Sequence, residues 1–381
     1  MKDLSRTNED IRAALYEKTG GFIKGICHPT EEYERIKDAG IRWIRRDVPS
    51  PFGSDGGLSE HYINFVSQTK DFAENGIRSI LISPYPRVFI ENGIDPRTKD
   101  GLEKVTHFCK LMADTFKGLG VCWQATNEMH IAHFRAPLTM AESRDYIIAS
   151  IKGLRQGDPD AAIGHNSVCG AREWLDYARY VESEVHSDYI GFDLYNGTWS
   201  NGGPETYIDE IELLHCEIGL PVVLMEFGFS SLGVNLTENS PEIGEYLAKH
   251  GFRDRADVSD RLDEFIETLP PGIKEMALTC APEDKANVVF STFPHLLKCW
   301  FAKQVYPHTE EGQAHFYSVL LPMLLGNPHL AGTVIFCWRD SHHCFFCGEP
   351  DCPCETAWGL TRCDGTAKPA YDAVKSIFTA Q

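Results

Sequence analysis

The sequence predicts an α/β protein of the (β/α)8 barrel (TIM barrel) class, and three observations lead to that prediction. Eight short apolar runs alternate with helix-like segments along the 381 residues, as expected when each parallel strand is followed by an outer helix. Several helix-like segments end in glycine directly before the next apolar run, which is a helix C-terminal signal. The main alternative is a doubly wound open sheet, which usually has a G-x-G-x-x-G first turn, whereas the first turn here reads KGICHPT.

Each predicted strand is a short apolar run that ends in polar or aromatic residues. In chain order the eight runs are GFIKGIC, IRWIRR, IRSILIS, VCWQAT, AAIGHNS, YIGFDLY, PVVLM and GTVIFCW. The segments between them carry apolar residues at i, i+3 and i+4, which is typical of amphipathic helices. They include TEEYERIKDAG, SEHYINFVSQTKDFAENG, GLEKVTHFCKLMADTFKGLG, ESRDYIIASIKGLRQ, EWLDYARYVESEV, TYIDEIELLHCEIG and EGQAHFYSVLLPMLLG, and a last helix, KPAYDAVKSIFTA, closes the chain.

The whole chain, residues 1–381, is predicted to form one catalytic barrel with two elaborations. Residues 228–307 form a helical insertion between the seventh strand and its helix. We expect this insertion to make a lid or side wall, because the carboxyl ends of barrel strands carry the active site. Residues 341–358 form a cysteine-rich loop after the eighth strand.

Composition and charge exclude some classes of function. Hydrophobic residues make up 43% and charged residues 24% of the chain, which is ordinary for a globular protein. The formal net charge of -19 and the pI of about 5.2 oppose binding to nucleic acid or to an anionic membrane. Neither a signal peptide nor a transmembrane span is visible, and most of the 13 cysteines lie singly in apolar contexts, so a cytoplasmic location is expected. The sequence does not indicate an oligomeric state.

Two glutamates close predicted strands on opposite sides of the barrel mouth. Glu128 follows the fourth strand and Glu226 ends the seventh. Taken singly, each could be a helix N-terminal capping residue. As a pair, they are the two opposed carboxylates that glycoside hydrolysis needs, one protonated to assist the leaving oxygen and one ionised to attack the anomeric carbon.

Motifs along nearly the whole chain resemble those of clan A retaining glycoside hydrolases, which include cellulases, mannanases, β-galactosidases and β-xylosidases. The sequence NE closes strand four, and a glutamate in VVLMEFGFS closes strand seven. AGIRWIRRD is similar to the clan's arginine-bearing strand, GFDLYNG to its tyrosine-bearing strand, and VIFCW to the strand with its platform tryptophan. WGLTRCDGTAKPAYDAVKSIF resembles the closing segment of several of its families, although no single family is identified.

The resemblance implies a role for each matching residue. Glu128 would be the general acid/base, and Glu226 the nucleophile that forms a covalent glycosyl-enzyme, with about 5–5.5 Å between the two carboxyl groups. Asn127 would hydrogen-bond the sugar 2-hydroxyl. Arg45 and Tyr195 would hold Glu226 ionised and oriented, which agrees with the effect of a cation and a hydroxyl donor on a carboxylate. Trp338 would stack on the sugar in the -1 subsite.

Other polar and aromatic residues near the strand ends are further candidates, each with a structural alternative. His130, Asn166 and Asp193 are predicted to contact substrate, although His130 could be a plain loop residue and Asp193 could simply orient Arg45. Arg46 is expected to point away from Arg45 and to form a structural ion pair. Weaker candidates for sugar contacts are His133, His165, Asp47, Trp199 and Trp358.

A cluster of cysteines follows the eighth strand in HHCFFCGEPDCPCETAWG. Cys344, Cys347, Cys352 and Cys354 are spaced so that they could wrap a tetrahedral Zn²⁺. Because four thiolates leave no open position, such an ion would be structural. Disulfides and free thiols are the alternatives, and the neighbouring His342 and His343 could instead supply a ligand or a sugar contact. The cluster is not a general feature of the clan.

The sequence predicts a retaining β-glycosidase that needs no cofactor for catalysis. Exo action is favoured over endo action. The alternatives are an endo-acting β-glycanase such as a mannanase and a non-catalytic carbohydrate-binding barrel. A metal-dependent barrel hydrolase is disfavoured, because the first strand ends in CHPT and not in H-x-H. The sugar and its linkage are not indicated.

Overall fold

Eight parallel strands form a closed barrel, which confirms the predicted fold class. The computed structural model describes residues 8–54, 56–168, 172–237 and 239–380. The barrel strands are β1 (Ile23–Cys27), β2 (Trp43–Asp47), β3 (Arg78–Ile82), β4 (Cys122–Gln124), β5 (Ala162–Val168), β6 (Tyr189–Leu194), β7 (Val222–Phe227) and β10 (Leu330–Ile335). Barrel strands that follow one another in the chain are paired, and β10 pairs with β1 to close the ring.

Helices pack around the outside of this barrel. They are α1 (Asn8–Thr19), α2 (Tyr33–Asp38), α3 (Glu60–Glu74), α4 (Pro86–Ile90), α5 (Lys99–Phe116), α6 (Ala132–Arg135), α7 (Met140–Gly157), α8 (Arg172–Glu184), α9 (Pro204–Ile218), α16 (Glu310–Gly326), α17 (Pro353–Thr356) and α18 (Pro369–Thr379). Glycine allows the closest contact between two of them, because a Cβ at Gly153 of α7 would lie 2.2 Å from the Thr106 carbonyl oxygen of α5. No helix in the described parts of the chain is long and apolar enough to cross a bilayer.

The segment between β7 and α16 is a compact helical subregion with its own apolar cluster, which includes Phe265, Val289 and Phe293. Its elements are β8 (Val234–Asn235), α10 (Pro241–Lys249), α11 (Arg255–Asp260), α12 (Leu262–Glu267), α13 (Pro271–Thr279), a 3-10 helix (Pro282–Asp284), α14 (Lys285–Ser291), α15 (Phe293–Leu297) and β9 (Cys299–Trp300). A buried ion pair of 2.5 Å between Arg135 and Asp284 ties it to the loop after β4.

The barrel interior is apolar along most of each strand and polar at the carboxyl ends. Trp43, Ile80 and Tyr189 belong to a buried cluster that fills the inside of the barrel, whereas a second and larger cluster lies between the strands and the outer helices. Arg45, Asn166 and further buried polar residues follow near the strand ends. An apolar interior cannot hold unpaired polar groups cheaply, so this polar rim marks the functional end of the barrel.

Candidate active site

The chain leaves β4 through two residues with left-handed backbone angles. Thr126 has φ 60° and Glu128 has φ 46°, a conformation that costs energy in residues other than glycine. Side chains from neighbouring strand ends hold this path, since the Ser83 hydroxyl accepts from the Thr126 N–H at 3.1 Å and the Asn166 amide oxygen accepts from the Glu128 N–H at 3.1 Å. The strained turn directs the Glu128 carboxyl into the barrel mouth. The two hydrogen bonds offset the energy of its left-handed backbone angles.

Arg45 links the ends of β2, β4 and β7. Its side chain is almost fully buried, and Nη1 donates to Glu226 Oε1 at 2.5 Å. Nη2 donates to Asn127 Oδ1 at 2.6 Å, and Nε donates to Gln124 Oε1 at 2.8 Å. Burial alone would lower the pKa of Arg45, but the surrounding negative charges, chiefly that of Glu226, together outweigh burial and raise the pKa. The guanidinium is therefore a fixed cation beside Glu226.

Tyr195 holds the second oxygen of Glu226. Arg45 and Tyr195 are therefore both partners of Glu226, as the resemblance in the sequence implies. The Tyr195 hydroxyl donates to Glu226 Oε2 at 2.5 Å, while Oε1 faces Arg45. Burial, together with the Glu226 charge, keeps the pKa of Tyr195 well above its usual range, so the phenol remains a donor. A carboxylate that accepts from both a cation and a hydroxyl is stabilised in its ionised form.

Glu128 lies in the opposite environment. It is 8% exposed, and its pKa is raised to about 8, first by burial and then by the negative charge of Glu226. Arg45 lowers this pKa only in part. Glu128 is therefore protonated at neutral pH, which is the state that a general acid requires.

The amide of Asn127 has a fixed orientation. Its Oδ1 accepts from Arg45 Nη2, from Gln124 Nε2 at 3.0 Å and from Asn166 Nδ2 at 2.8 Å. Three donors on one oxygen leave only one assignment for the amide, so Nδ2 faces Glu128 Oε2 at 3.4 Å. An amide N–H beside the acid/base is suited to donate to a bound hydroxyl.

Asn166 and Asp193 form the next layer of the site. Besides its bonds to Glu128 and Asn127, Asn166 donates from Nδ2 to Asp193 Oδ2 at 2.6 Å. Burial and the charges of Glu226 and Glu128 raise the pKa of Asp193 well above its usual range. Both side chains are thus inside the predicted site. Asn166 is engaged in shaping it, and contact of either residue with substrate stays a prediction.

The aromatic side chain at the mouth of β10 is Phe336, and the prediction for Trp338 is wrong. Trp338 is fully buried on the outer side of the barrel, where its Nε1 donates to Glu32 at 2.8 Å and its ring meets Tyr371 of α18. Phe336 is partly exposed, and its ring lies 6.0 Å from that of Tyr195. The chain turns after β10 so that the indole finds a carboxylate partner away from the site.

Substitutions at these two aromatic positions separate their roles. We expect Phe336→Ala to lower kcat/KM by at least about tenfold, because the ring borders the tyrosine that holds Glu226. Trp338→Phe should instead lower stability by about 1–3 kcal/mol through loss of core packing and of the Glu32 bond, with kcat/KM nearly unchanged. Steady-state kinetics and urea unfolding of both variants measure the two effects, and the reverse pattern would restore Trp338 to the site.

Several further candidates have contacts with residues other than the two glutamates. His165 is buried against α8, with Nε2 3.1 Å from Glu182 Oε1, so the prediction of a sugar contact is wrong. Arg46 points away from Arg45, as predicted, but in the described structure it stacks on Phe65 and has no ion pair. His130 packs beside Trp174, and burial lowers its pKa to about 4, while its contact with substrate stays a prediction.

Other candidates stay closer to the mouth of the barrel. Asp47 accepts from the Tyr85 hydroxyl at 3.2 Å. Trp358 is buried with its ring 5.1 Å from Tyr195, so it supports the site from behind and does not offer a free face. Trp199 packs on Trp300 of the insertion. Because its side chain is 40% exposed, it remains a candidate for an outer subsite.

Three site residues were missed in the sequence. Gln124 positions Arg45, and it could have been found because it ends β4 on the same run as Asn127. Tyr85 follows β3, and burial and the charge of Asp47 raise its pKa well above the usual range. Glu355 of α17 has its pKa raised to about 8 by burial and by the Glu226 charge, so it is a third carboxyl near the nucleophile. Nothing in its local sequence marks it out.

The cysteine-rich loop meets a histidine from the insertion. His295 of α15 joins Cys344, Cys347 and Cys352, with one ligand atom from each lying within 4.8 Å of the others. Cys354, His342 and His343 are outside this group, which therefore differs from the predicted four-cysteine set by having His295 in place of Cys354. Such a group of soft ligands could hold a metal ion.

Comparison with known proteins identifies structural neighbours only. No protein-family model and no curated protein sequence matches this chain. The GH53 catalytic domain of Ignisphaera aggregans superposes with a TM-score of 0.57 at 13% identity, covering 96% of this chain and 94% of that one. A family 39 glycoside hydrolase from Bacteroides cellulosilyticus WH2 gives 0.58 at 14% identity, over 93% and 63% of the two chains. A β-glucuronidase from an uncultured Clostridium sp. gives 0.52 at 15%, over 95% and 50%. At these identities the likeness establishes the barrel fold alone.

Proposed function

We propose that this protein is a retaining glycoside hydrolase that cleaves β-linked glycosides or oligosaccharides through a covalent glycosyl-enzyme. The observation that carries the proposal is the pair of strand-end glutamates in opposite environments. Glu226 is held by Arg45 and Tyr195, whereas Glu128 is buried with its pKa raised to about 8. The structural neighbours support the proposal, since they are glycoside hydrolases of several families built on the same barrel.

In the first step, Glu226 attacks the anomeric carbon while Glu128 gives its proton to the glycosidic oxygen, and the leaving group departs as an alcohol. Arg45 forms an ion pair with the nucleophile and orients it. The Asn127 amide, locked with Nδ2 toward the site, donates to the sugar 2-hydroxyl, and this bond strengthens as positive charge develops at the anomeric centre.

In the second step, the charge of Glu226, which adds to burial in raising the pKa of Glu128, has been consumed in the ester bond, so the pKa of Glu128 falls. Glu128 is then an ionised base that takes a proton from water, and the water oxygen attacks the anomeric carbon and releases Glu226. The loss of the Glu226 charge thus helps one carboxyl group to act first as an acid and then as a base.

Exo action is the mode that the surroundings of the site favour. The insertion and the cysteine-rich loop stand beside the mouth of the barrel, where the exposed ring of Trp199 packs on the insertion. A wall at this position would close one end of a substrate groove into a pocket.

A metal ion in the cysteine loop would be structural. The free thiols of the described residues fit a reducing compartment such as the cytoplasm.

Product stereochemistry tests the proposal. The wild-type protein is incubated with a panel of 4-nitrophenyl β-glycosides and β-linked oligosaccharides, and the first product is followed by proton NMR. We expect the β-anomer to form first and to mutarotate later. The α-anomer as first product would overturn the retaining mechanism, and no cleavage across the panel would contradict the glycosidase assignment. Release of single sugars from end-labelled oligosaccharides supports exo action, and internal cuts argue against it.

A further inference from the structure

We propose that His295, Cys344, Cys347 and Cys352 form a tetrahedral Zn²⁺ site that clamps the helical insertion onto the loop after β10. The ligands come from two distant segments, since 49 residues separate His295 from Cys344. His295 lies in the insertion, and the three cysteines lie in the loop. The inference does not depend on the proposed glycosidase activity.

The distances fit a tetrahedron of mixed ligands. Zinc bonds of about 2.0–2.1 Å to nitrogen and about 2.3 Å to sulfur place neighbouring nitrogen and sulfur ligands about 3.6 Å apart. His295 Nδ1 lies 3.4 Å from Cys344 Sγ and 3.5 Å from Cys352 Sγ. One imidazole nitrogen facing two thiols at this spacing matches the ligand separations that a tetrahedral Zn²⁺ requires.

The backbone around Cys344 supports a negatively charged sulfur. The N–H groups of Phe346 and Cys347 both donate to Cys344 Sγ at 3.4 Å. The turn that makes this possible is closed by the Gly348 N–H, which donates to the Cys344 carbonyl at 3.0 Å, and Gly348 adopts φ 78°, which favours glycine. Donors aimed at a ligand sulfur are a regular feature of metal–thiolate sites.

The histidine is also held in place before any ion binds. His295 is only 5% exposed, and its ring lies 5.3 Å from the ring of Phe346 in the loop and 5.7 Å from that of Trp199. A Cβ at Gly272 of α13 would lie 2.6 Å from the Phe346 carbonyl oxygen, so insertion and loop are already in close contact there. Lys298, just after α15, pairs with Glu349 and Asp351 across the same junction.

These surface ion pairs contribute little by themselves, whereas four bonds to one ion would fix the junction. The clamp would act directly beside the candidate active site. Cys352 precedes α17, which carries Glu355, and Trp358 follows it and packs on Tyr195. All four ligand positions are filled by protein atoms, so the ion would stabilise the wall of the site and take no part in bond cleavage.

Metal analysis of full-length variants tests the ligand set. We expect about one Zn²⁺ per chain in the wild type and in Cys354→Ala, and at least a fivefold loss in His295→Ala and Cys347→Ala. Cys363→Ala is the matched control, because this partly exposed thiol lies outside the group. Less than half a zinc per wild-type chain would overturn the proposal, as would full zinc in His295→Ala together with its loss in Cys354→Ala.

Cobalt substitution distinguishes ligation from misfolding. The Co²⁺-loaded wild type should show the intense visible bands of a tetrahedral ion and a near-ultraviolet thiolate charge-transfer band. His295→Cys should retain the metal with a stronger charge-transfer band, because a fourth thiolate replaces the imidazole. Loss of metal from this variant, or a wild-type spectrum of octahedral type, would contradict the assignment. Limited proteolysis should cut the insertion faster after chelation, and an unchanged rate would contradict the clamp.

Discussion

Glu226→Ala is expected to lower kcat on aryl β-glycosides by at least about 10³-fold, because it removes the carboxylate proposed to attack the anomeric carbon. In the wild type, Arg45 and Tyr195 bond to the two oxygens of Glu226. Neither of these two side chains can form the glycosyl ester in its place. Glu128→Ala should lose a similar amount on substrates with poor leaving groups, and less on 2,4-dinitrophenyl glycosides, since these need no proton in the first step.

Azide separates the two roles by the stereochemistry of the product. In Glu226→Ala, azide can enter the space of the missing nucleophile and give an α-glycosyl azide. In Glu128→Ala, the glycosyl-enzyme still forms on Glu226, and azide attacks it from the other face to give a β-glycosyl azide. Proton NMR of the products measures the outcome.

The control is Glu103→Ala, an exposed glutamate of α5 that should leave kcat/KM unchanged. If the two active-site variants gave azides of the same configuration, the assignment of acid/base and nucleophile would fail. If either variant kept most of the wild-type rate on every substrate, the pair would not be catalytic.

The positions of the proposed catalytic pair could be predicted from sequence because they follow from strand order alone. Strand-end residues of a parallel barrel must meet at one face, so Glu128, Glu226 and Arg45 come together whatever the loops do. Tyr195 and Asn127 are placed by the same rule. Hydrogen bonds from Arg45 to Asn127 and from Tyr195 to Glu226 link these side chains at the centre of the candidate site.

What escaped prediction depends on backbone outside the regular strands. Alternation along β10 does not extend past Ile335, so it could not decide between Phe336 and Trp338 as the ring that faces the mouth. His295 could not be grouped with the cysteines, because only the fold of the insertion brings the two segments together. The position of Glu355 could not be predicted for the same reason, because the fold of an irregular loop brings it close to Glu226.

The raised pKa of Glu128 should be measurable as a loss of stability at neutral and alkaline pH. A carboxyl whose pKa is about 8 in the folded state and about 4.5 in the unfolded state binds a proton more tightly when folded. Its contribution is therefore most favourable below pH 4.5 and is lost as the pH rises through 8. At 1.36 kcal/mol per unit, the cost is about 3 kcal/mol at pH 7 and about 5 kcal/mol above pH 8.

Glu128→Gln removes this titration while keeping an oxygen that can accept from Asn127. We expect the variant to match the wild type in urea unfolding near pH 4.5, and to exceed it by about 3 kcal/mol at pH 7 and by more at pH 8.5. Glu103→Gln on the exposed face of α5 should show no such trend. The wild-type kcat/KM should fall only as the pH rises through about 8, because the folded enzyme loses the Glu128 proton there and the acid form is depleted. A stability difference that did not change with pH would mean that Glu128 titrates normally, and it would then be ionised at neutral pH and unsuited to act as the general acid.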